Sequence, residues 1–238
     1  GEVWRAEHRL LARPAAVKLI RPEALGANDP GQRRVALERF EREAQATAAL
    51  RSPHTVELYD FGVGDDGTFY YVMELLEGYD LDALVRRFGP LPAERAVHLL
   101  RQACHSLGEA HEAGLVHRDV KPPNLYACRL GREADWVKVL DFGMVKRRAD
   151  AGAREAQLTG EQALGGTPAW MAPEQAVGGP IDGRSDLYAL GCVAYWLLTG
   201  EPVFSGRTAV EVLTRHVRDD PAPPGTRTEL AIPAALDE

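Results

Sequence analysis

Short apolar runs separated by polar stretches fill the first 75 residues, and this pattern predicts strands near 1–6, 14–20, 55–62 and 68–74 around one helix from about 33 to 50. Helical spacing dominates afterwards. From Pro92 to Ala113, the residues Ala96, Leu99, Leu100, Ala103, Leu107 and Ala110 fall on one face, and Gly114 follows the end of the helix. Val137-Lys138-Val139-Leu140 reads as a strand, preceded at 130–133 by the turn of a small hairpin. Ser185-Asp186 opens an apolar stretch through Leu198 that Thr199-Gly200 halts, a core helix too short for the ~20 residues of a membrane span. After Asp220 the Pro-rich run at 221–225 leads into a weakly structured tail.

Composition narrows the class. At 238 residues and 45% hydrophobic content the chain can bury a large core. A formal charge of −7 argues against nucleic acid, which calls for a basic stripe. Cys104, Cys128 and Cys192 show no Cys-x-x-Cys spacing and suggest a reducing compartment, and the seven His lack metal-ligand spacing.

The chemistry enters at residues 117–124, His-Arg-Asp-Val-Lys-Pro-Pro-Asn, and seventeen positions past that Asn at Asp141-Phe142-Gly143. A lone Asp-Phe-Gly would be an ordinary turn. With the eight-residue run ahead of it, the chain resembles the eukaryotic-like protein kinase family, specifically its bacterial serine/threonine members. The resemblance implies an α+β, bilobal fold with a small, mostly-β N-lobe carrying one key helix and a larger, mostly-α C-lobe. It also implies a single kinase domain over 1–238, divided into N-lobe and hinge at 1–76 and C-lobe at 77–238.

ATP is the implied phosphoryl donor, with Mg²⁺, or Mn²⁺ in its place. Lys18, one cation within the apolar run 15–20, matches the strand lysine that contacts the α- and β-phosphates, and Glu43 its partner on the helix behind. A solvated acid beside Glu38 and Glu41 is the plainer reading of Glu43. Gly1 and Val3 look like the end of the Gly-rich loop over the phosphates, so the chain is expected to begin inside its own nucleotide lid, as a fragment. Val3 and Ala16 match the residues that sandwich the adenine, Met73 the gate beside it, Glu74 to Leu76 the hinge, and Tyr126 a further nucleotide contact. Asp80 is placed to reach the ribose or to N-cap the following helix.

On the same resemblance, Asp119 is the base that accepts the acceptor's proton, Lys121 lies against the γ-phosphate, and Asn124 and Asp141 hold the metal. His117 and Phe142 are expected to pack as a column between lobes. Asp186 ties its helix to the catalytic-loop backbone, or is simply a helix-start acid stabilised by the dipole. Lys121, Gly166-Thr167-Pro168 and Ala172-Pro173-Glu174 point to serine or threonine acceptors on protein substrates, with the Thr167 hydroxyl bridging Asp119 and Lys121.

Arg118 suits docking of a phosphorylated activation segment, and Thr159 is the one hydroxyl residue between Gly143 and Gly166. An unmodified loop threonine is the alternative. Further helices are expected past Glu238, one supplying an Arg to Glu174, whose absence would leave a buried carboxylate unpaired at a cost of roughly 3–5 kcal/mol and make the fragment less stable and less active. The resemblance is compatible with a homodimer and with membrane attachment only through regions outside this chain, the kinase domain being cytoplasmic. A non-catalytic scaffold would have no need to keep Lys18, Glu43, Asp119, Asn124 and Asp141 together.

Overall fold

Alternation along β1 (Glu2–His8) and β2 (Arg13–Ile20) puts Val3, Ala16 and Lys18 on one face, because Val3 pairs with Lys18 and Arg5 with Ala16 across the antiparallel hairpin. The computed structural model describes residues 2–21, 30–142 and 167–237. β4 (Phe69–Glu74) lies on the other side of β2, setting Met73 opposite Ala16 and Tyr71 opposite Lys18, and β3 (Leu58–Val63) closes the order β1-β2-β4-β3. One face of the sheet thus gathers Val3, Ala16, Lys18, Tyr71 and Met73.

The helix α1 (Pro30–Ala48) covers this sheet with Phe40, Ala44 and Thr47, spaced three and four apart on its buried face. Phe40 is the centre of the contact, its ring 4.4 Å from Tyr71, 4.9 Å from Phe69 and 6.1 Å from Phe61.

The second lobe is built on helices. α2 (Leu81–Phe88) and α3 (Ala93–Glu112) lie in sequence between the first strand, β5 (Gly78–Asp80), and the other two, β6 (Leu125–Leu130) and β7 (Glu133–Val139), of a small three-stranded sheet. The five-residue α4 (Pro173–Val177) leads to α5 (Gly183–Thr199), with α6 (Ala209–Arg218) beyond it. The expected apolar face of α3 is the buried one, with Ala96, Leu99, Ala103, Leu107 and Ala110 all in the core against α5. Asp182 caps α5 through Arg184 N, so this helix begins ahead of Ser185, and Gly200 ends it in the left-handed region at φ 73°.

Three expectations need correction. The strand placed over 55–62 starts only at Leu58, because 54–56 bond across to β7: Val56 N donates to Val139 O at 3.0 Å and Val139 N to His54 O at 2.7 Å. The tail after Asp220 is better ordered than its composition suggested. A 3₁₀ turn at Pro224–Thr226 is pinned to the short helix α7 (Ala234–Asp237) by Gly225 N donating to Asp237 Oδ1 at 2.6 Å, Arg227 pairs with Glu201 at 3.0 Å, and Ile232 packs on the core. Nor is Glu174 a buried carboxylate without a partner, since it is half-exposed and accepts the Ser185 hydroxyl.

Candidate active site

Residues 117–121 lack helix or strand up to the 3₁₀ turn at Pro122–Asn124, so side chains must satisfy their backbone. Asp186, at 1% exposure near the start of α5, accepts His117 N at 2.8 Å and Arg118 N at 2.7 Å. His111 Nε2 approaches the same carboxylate at 2.8 Å. Asp186 thus ties its helix to the loop and is at the same time an acid in the first turn of α5. It also holds Arg118 at φ 65°, a left-handed conformation uncommon outside glycine.

Asp119 follows this constrained residue. Lys121 Nζ donates to Asp119 Oδ2 at 2.9 Å, and Asn124 Nδ2 donates to the Asp119 carbonyl at 2.8 Å and to Oδ2 at 3.3 Å. The next strand is locked to the same loop, Leu140 N donating to Asn124 O at 2.9 Å while Leu140 O meets His117 Nε2 at 2.8 Å. Those bonds seat Asp141, at φ 60°, beside the loop, and the buried Phe142 ring packs 4.8 Å from His117.

From the other lobe, Lys18 Nζ meets Asp141 Oδ2 at 2.5 Å. Lys18, Asp119, Lys121, Asn124 and Asp141 are therefore brought together from two lobes. Glu43 is half-buried on the inward side of α1, whereas Glu38 and Glu41 are exposed. Burial, with the charge of the Glu43 and Asp141 carboxylates adding to it, pushes the Tyr71 phenol well above its ordinary range.

At the hinge, Glu74, the last residue of β4, donates its N–H to Glu57 O at 3.0 Å. Gly78 crosses β6 so closely that a Cβ there would lie 2.1 Å from Ala127 O. Tyr126 donates its hydroxyl to Gly78 O at 2.9 Å, and Asp80 Oδ1 accepts Ala83 N at 2.7 Å, so Asp80 is a helix cap whatever else it does. Val3 is 60% exposed on β1, above the buried Ala16. Gly1 and Thr159 lie outside the described residues, and of Thr167 only the backbone, in the 3₁₀ turn Thr167–Trp170, is described.

Sequence reasoning missed three contributors. Lys138 Nζ pairs with Glu74 Oε1 at 2.6 Å behind the hinge and donates to Thr55 O at 3.2 Å. His111 supports Asp186, and Gln175 reaches the Arg118 carbonyl at 3.2 Å. Lys138 carried the same signal as Lys18, a single cation in an apolar strand.

As for a metal, no three His, Cys, Asp or Glu side chains cluster to hold one among the described residues. Beside the Asp119 carboxylate, which Lys121 and the Asn124 amide nitrogen engage, the site offers the Asp141 carboxylate and the Asn124 amide oxygen. Such hard oxygen donors fit a Mg²⁺ ion that takes its other ligands from water and phosphate. No described helix is long and apolar enough to cross a membrane.

A family model for the protein kinase domain matches residues 1–230. The chain is 41% identical over 240 residues to the serine/threonine-protein kinase PknB of Mycobacterium tuberculosis, covering 100% of this chain and 36% of that protein. It is 39% identical over 227 residues to the serine/threonine-protein kinase pkn3 of Myxococcus xanthus, covering 95% of this chain and 40% of that one. The chain thus spans little more than a third of the length of these relatives. Among solved structures, the PknI kinase domain of Mycobacterium tuberculosis superposes with a TM-score of 0.70 at 25% identity, over 95% of this chain and 76% of that one. Rad53 in complex with AMP-PNP gives 0.68 at 26% identity, over 89% and 48%.

Proposed function

The chain belongs to the protein kinase family, and from that premise we propose that it transfers the γ-phosphoryl group of ATP to serine or threonine hydroxyls of protein substrates. The observation that carries this is the convergence of Asp119, Lys121 and Asn124 with the Lys18–Asp141 pair. Each group has a task in such a transfer. Asp119 accepts a hydrogen bond from the acceptor hydroxyl and takes its proton as the bond to phosphorus forms. Lys121, already within 2.9 Å of Asp119, is positioned to neutralise charge on the transferring group. Asn124 and Asp141 would hold Mg²⁺, or Mn²⁺, whose charge offsets that of the phosphate oxygens.

Lys18 turns from Asp141 to the α- and β-phosphates when nucleotide enters, with Glu43 steadying it from α1. The Glu74 carbonyl and the Leu76 backbone take the adenine edge, Val3, Ala16 and Tyr126 flank the ring, and Asp80 reaches the ribose. A nucleotide site is further supported by the AMP-PNP bound to the similar Rad53. We take 1–76 as N-lobe and hinge and 77–238 as C-lobe. Thr159 is the proposed activation-segment phosphosite, read by Arg118, with Thr167 steadying Asp119 and Lys121. A cytoplasmic placement, homodimer formation and membrane attachment through other regions of the protein belong to the same reading.

The test is incubation with labelled ATP, Mg²⁺ and a mixed peptide library, followed by phosphoamino acid analysis. Label on serine and threonine is expected. Label on tyrosine alone, or nucleotide binding with no transfer, would overturn the proposal.

A further inference from the structure

Five backbone groups of residues 117–119 are held by side chains. Asp186 takes two N–H groups, His117 Nδ1 accepts Asp119 N at 3.3 Å, and Asn124 serves the Asp119 carbonyl. All three of those side chains sit in the C-lobe core or in the loop itself. The fifth group, the Arg118 carbonyl, is held by Gln175, which lies on α4, 57 positions further along the chain.

The Gln175 amide has two faces in use. Its Oε1 accepts Ala172 N at 3.1 Å, capping α4, and its Nε2 donates to Arg118 O at 3.2 Å. The two partners fix which end is which, since a backbone N–H can only donate and a carbonyl only accept. Arg118 is the left-handed residue directly before the base, so its carbonyl belongs to the peptide that carries Asp119. Rotation of that peptide moves the Asp119 side chain.

We propose that Gln175 is a positioning residue for phosphoryl transfer: its amide ties the seating of α4 to the orientation of the Arg118–Asp119 peptide, and through it to the base. This rests on the phosphotransfer reading above. The bland alternative is that Gln175 is only a helix cap.

Gln175→Glu separates the two. A carboxylate still accepts from Ala172 N, and a negative charge at a helix start is favourable, so the cap survives. The donor to Arg118 O is lost, and an acceptor faces an acceptor. Gln175→Leu removes cap and bridge together. Both variants are made in the full-length natural protein and compared with wild type for kcat, for KM of ATP and peptide, and for melting temperature.

Gln175→Glu is expected to keep both KM values and to lose less melting temperature than Gln175→Leu, while kcat falls about 5–10-fold, the rate equivalent of one hydrogen bond. Gln175→Leu is expected to lose kcat similarly and melting temperature as well. An unchanged kcat in Gln175→Glu beside an active wild type would overturn the inference and leave phosphotransfer standing. So would a Gln175→Glu protein destabilised as much as Gln175→Leu. A wild type that moves no phosphate would overturn the reading beneath it.

Discussion

Replacing Lys138 with Met tests the junction behind the hinge. The Lys138 and Glu74 side chains are only 10% and 16% exposed, and their 2.6 Å contact joins the last residue of β4 to the strand that delivers Asp141. Glu74 Oε1 also accepts Glu57 N at 2.8 Å, and Lys138 Nζ donates to Thr55 O, so the pair ties three segments together. Breaking a buried pair from one side costs about 3–5 kcal/mol, because the remaining charge stays desolvated. The surviving Glu57 bond places Lys138→Met at the lower end of that range, about 3 kcal/mol. For a chain of this size that lowers the melting temperature by roughly 6–12 °C. Glu74→Gln in the Lys138→Met background removes the stranded charge and should restore stability to within ~1 kcal/mol of wild type. Urea titration of wild type, both single variants and the double variant reads this directly. A Lys138→Met protein as stable as wild type, or a double variant no better than the worse single, would refute the reasoning.

Two further outcomes follow from buried groups. Asp186→Asn keeps the shape but turns an NH₂ toward His117 N or Arg118 N, so equilibrium unfolding should show a loss of ~2–3 kcal/mol, with turnover falling as the loop loosens. His216 is buried, with Nδ1 2.7 Å from the Tyr188 hydroxyl, and burial lowers its pKa; burial likewise lowers that of His54. The unfolded chain therefore takes up protons first. Stability should fall as pH drops below about 6.5, the unfolded value, and keep falling until the depressed folded values are reached. Melting curves from pH 7.5 to 5.5 should show this slope, and His216→Gln should flatten it. A wild-type melting temperature that rises on acidification through this window would contradict it.

The lobes were legible because periodicity is a local property: Phe40, Ala44 and Thr47 repeat at helical spacing, and Ala96 through Ala110 trace the buried stripe of α3. The site was legible because the catalytic loop is contiguous, so its order along the chain fixes Asp119, Lys121 and Asn124 within one turn. What escaped were contacts between distant segments. Nothing near residue 57 indicates that its N–H will bind a hinge carboxylate, and residues 55–57 pattern as strand although Val56 bonds to Val139 of β7 and Glu57 to Glu74. Gln175 was hidden for the same reason, since its partner carbonyl is 57 positions away. Lys138 was readable in principle, because a cation in an apolar strand must find a counter-charge, yet only the fold names Glu74.

The central claim is that Asp119 acts on the acceptor hydroxyl while Lys18 and Asp141 serve the nucleotide. Single-turnover transfer from labelled ATP to a serine peptide, measured beside equilibrium ATP binding in wild type and Asp119→Asn, tests it most directly. The transfer rate in Asp119→Asn should fall about 10²–10⁴-fold, the range for losing a general base, while ATP affinity stays within a few-fold of wild type. Transfer at the wild-type rate in Asp119→Asn would contradict the account.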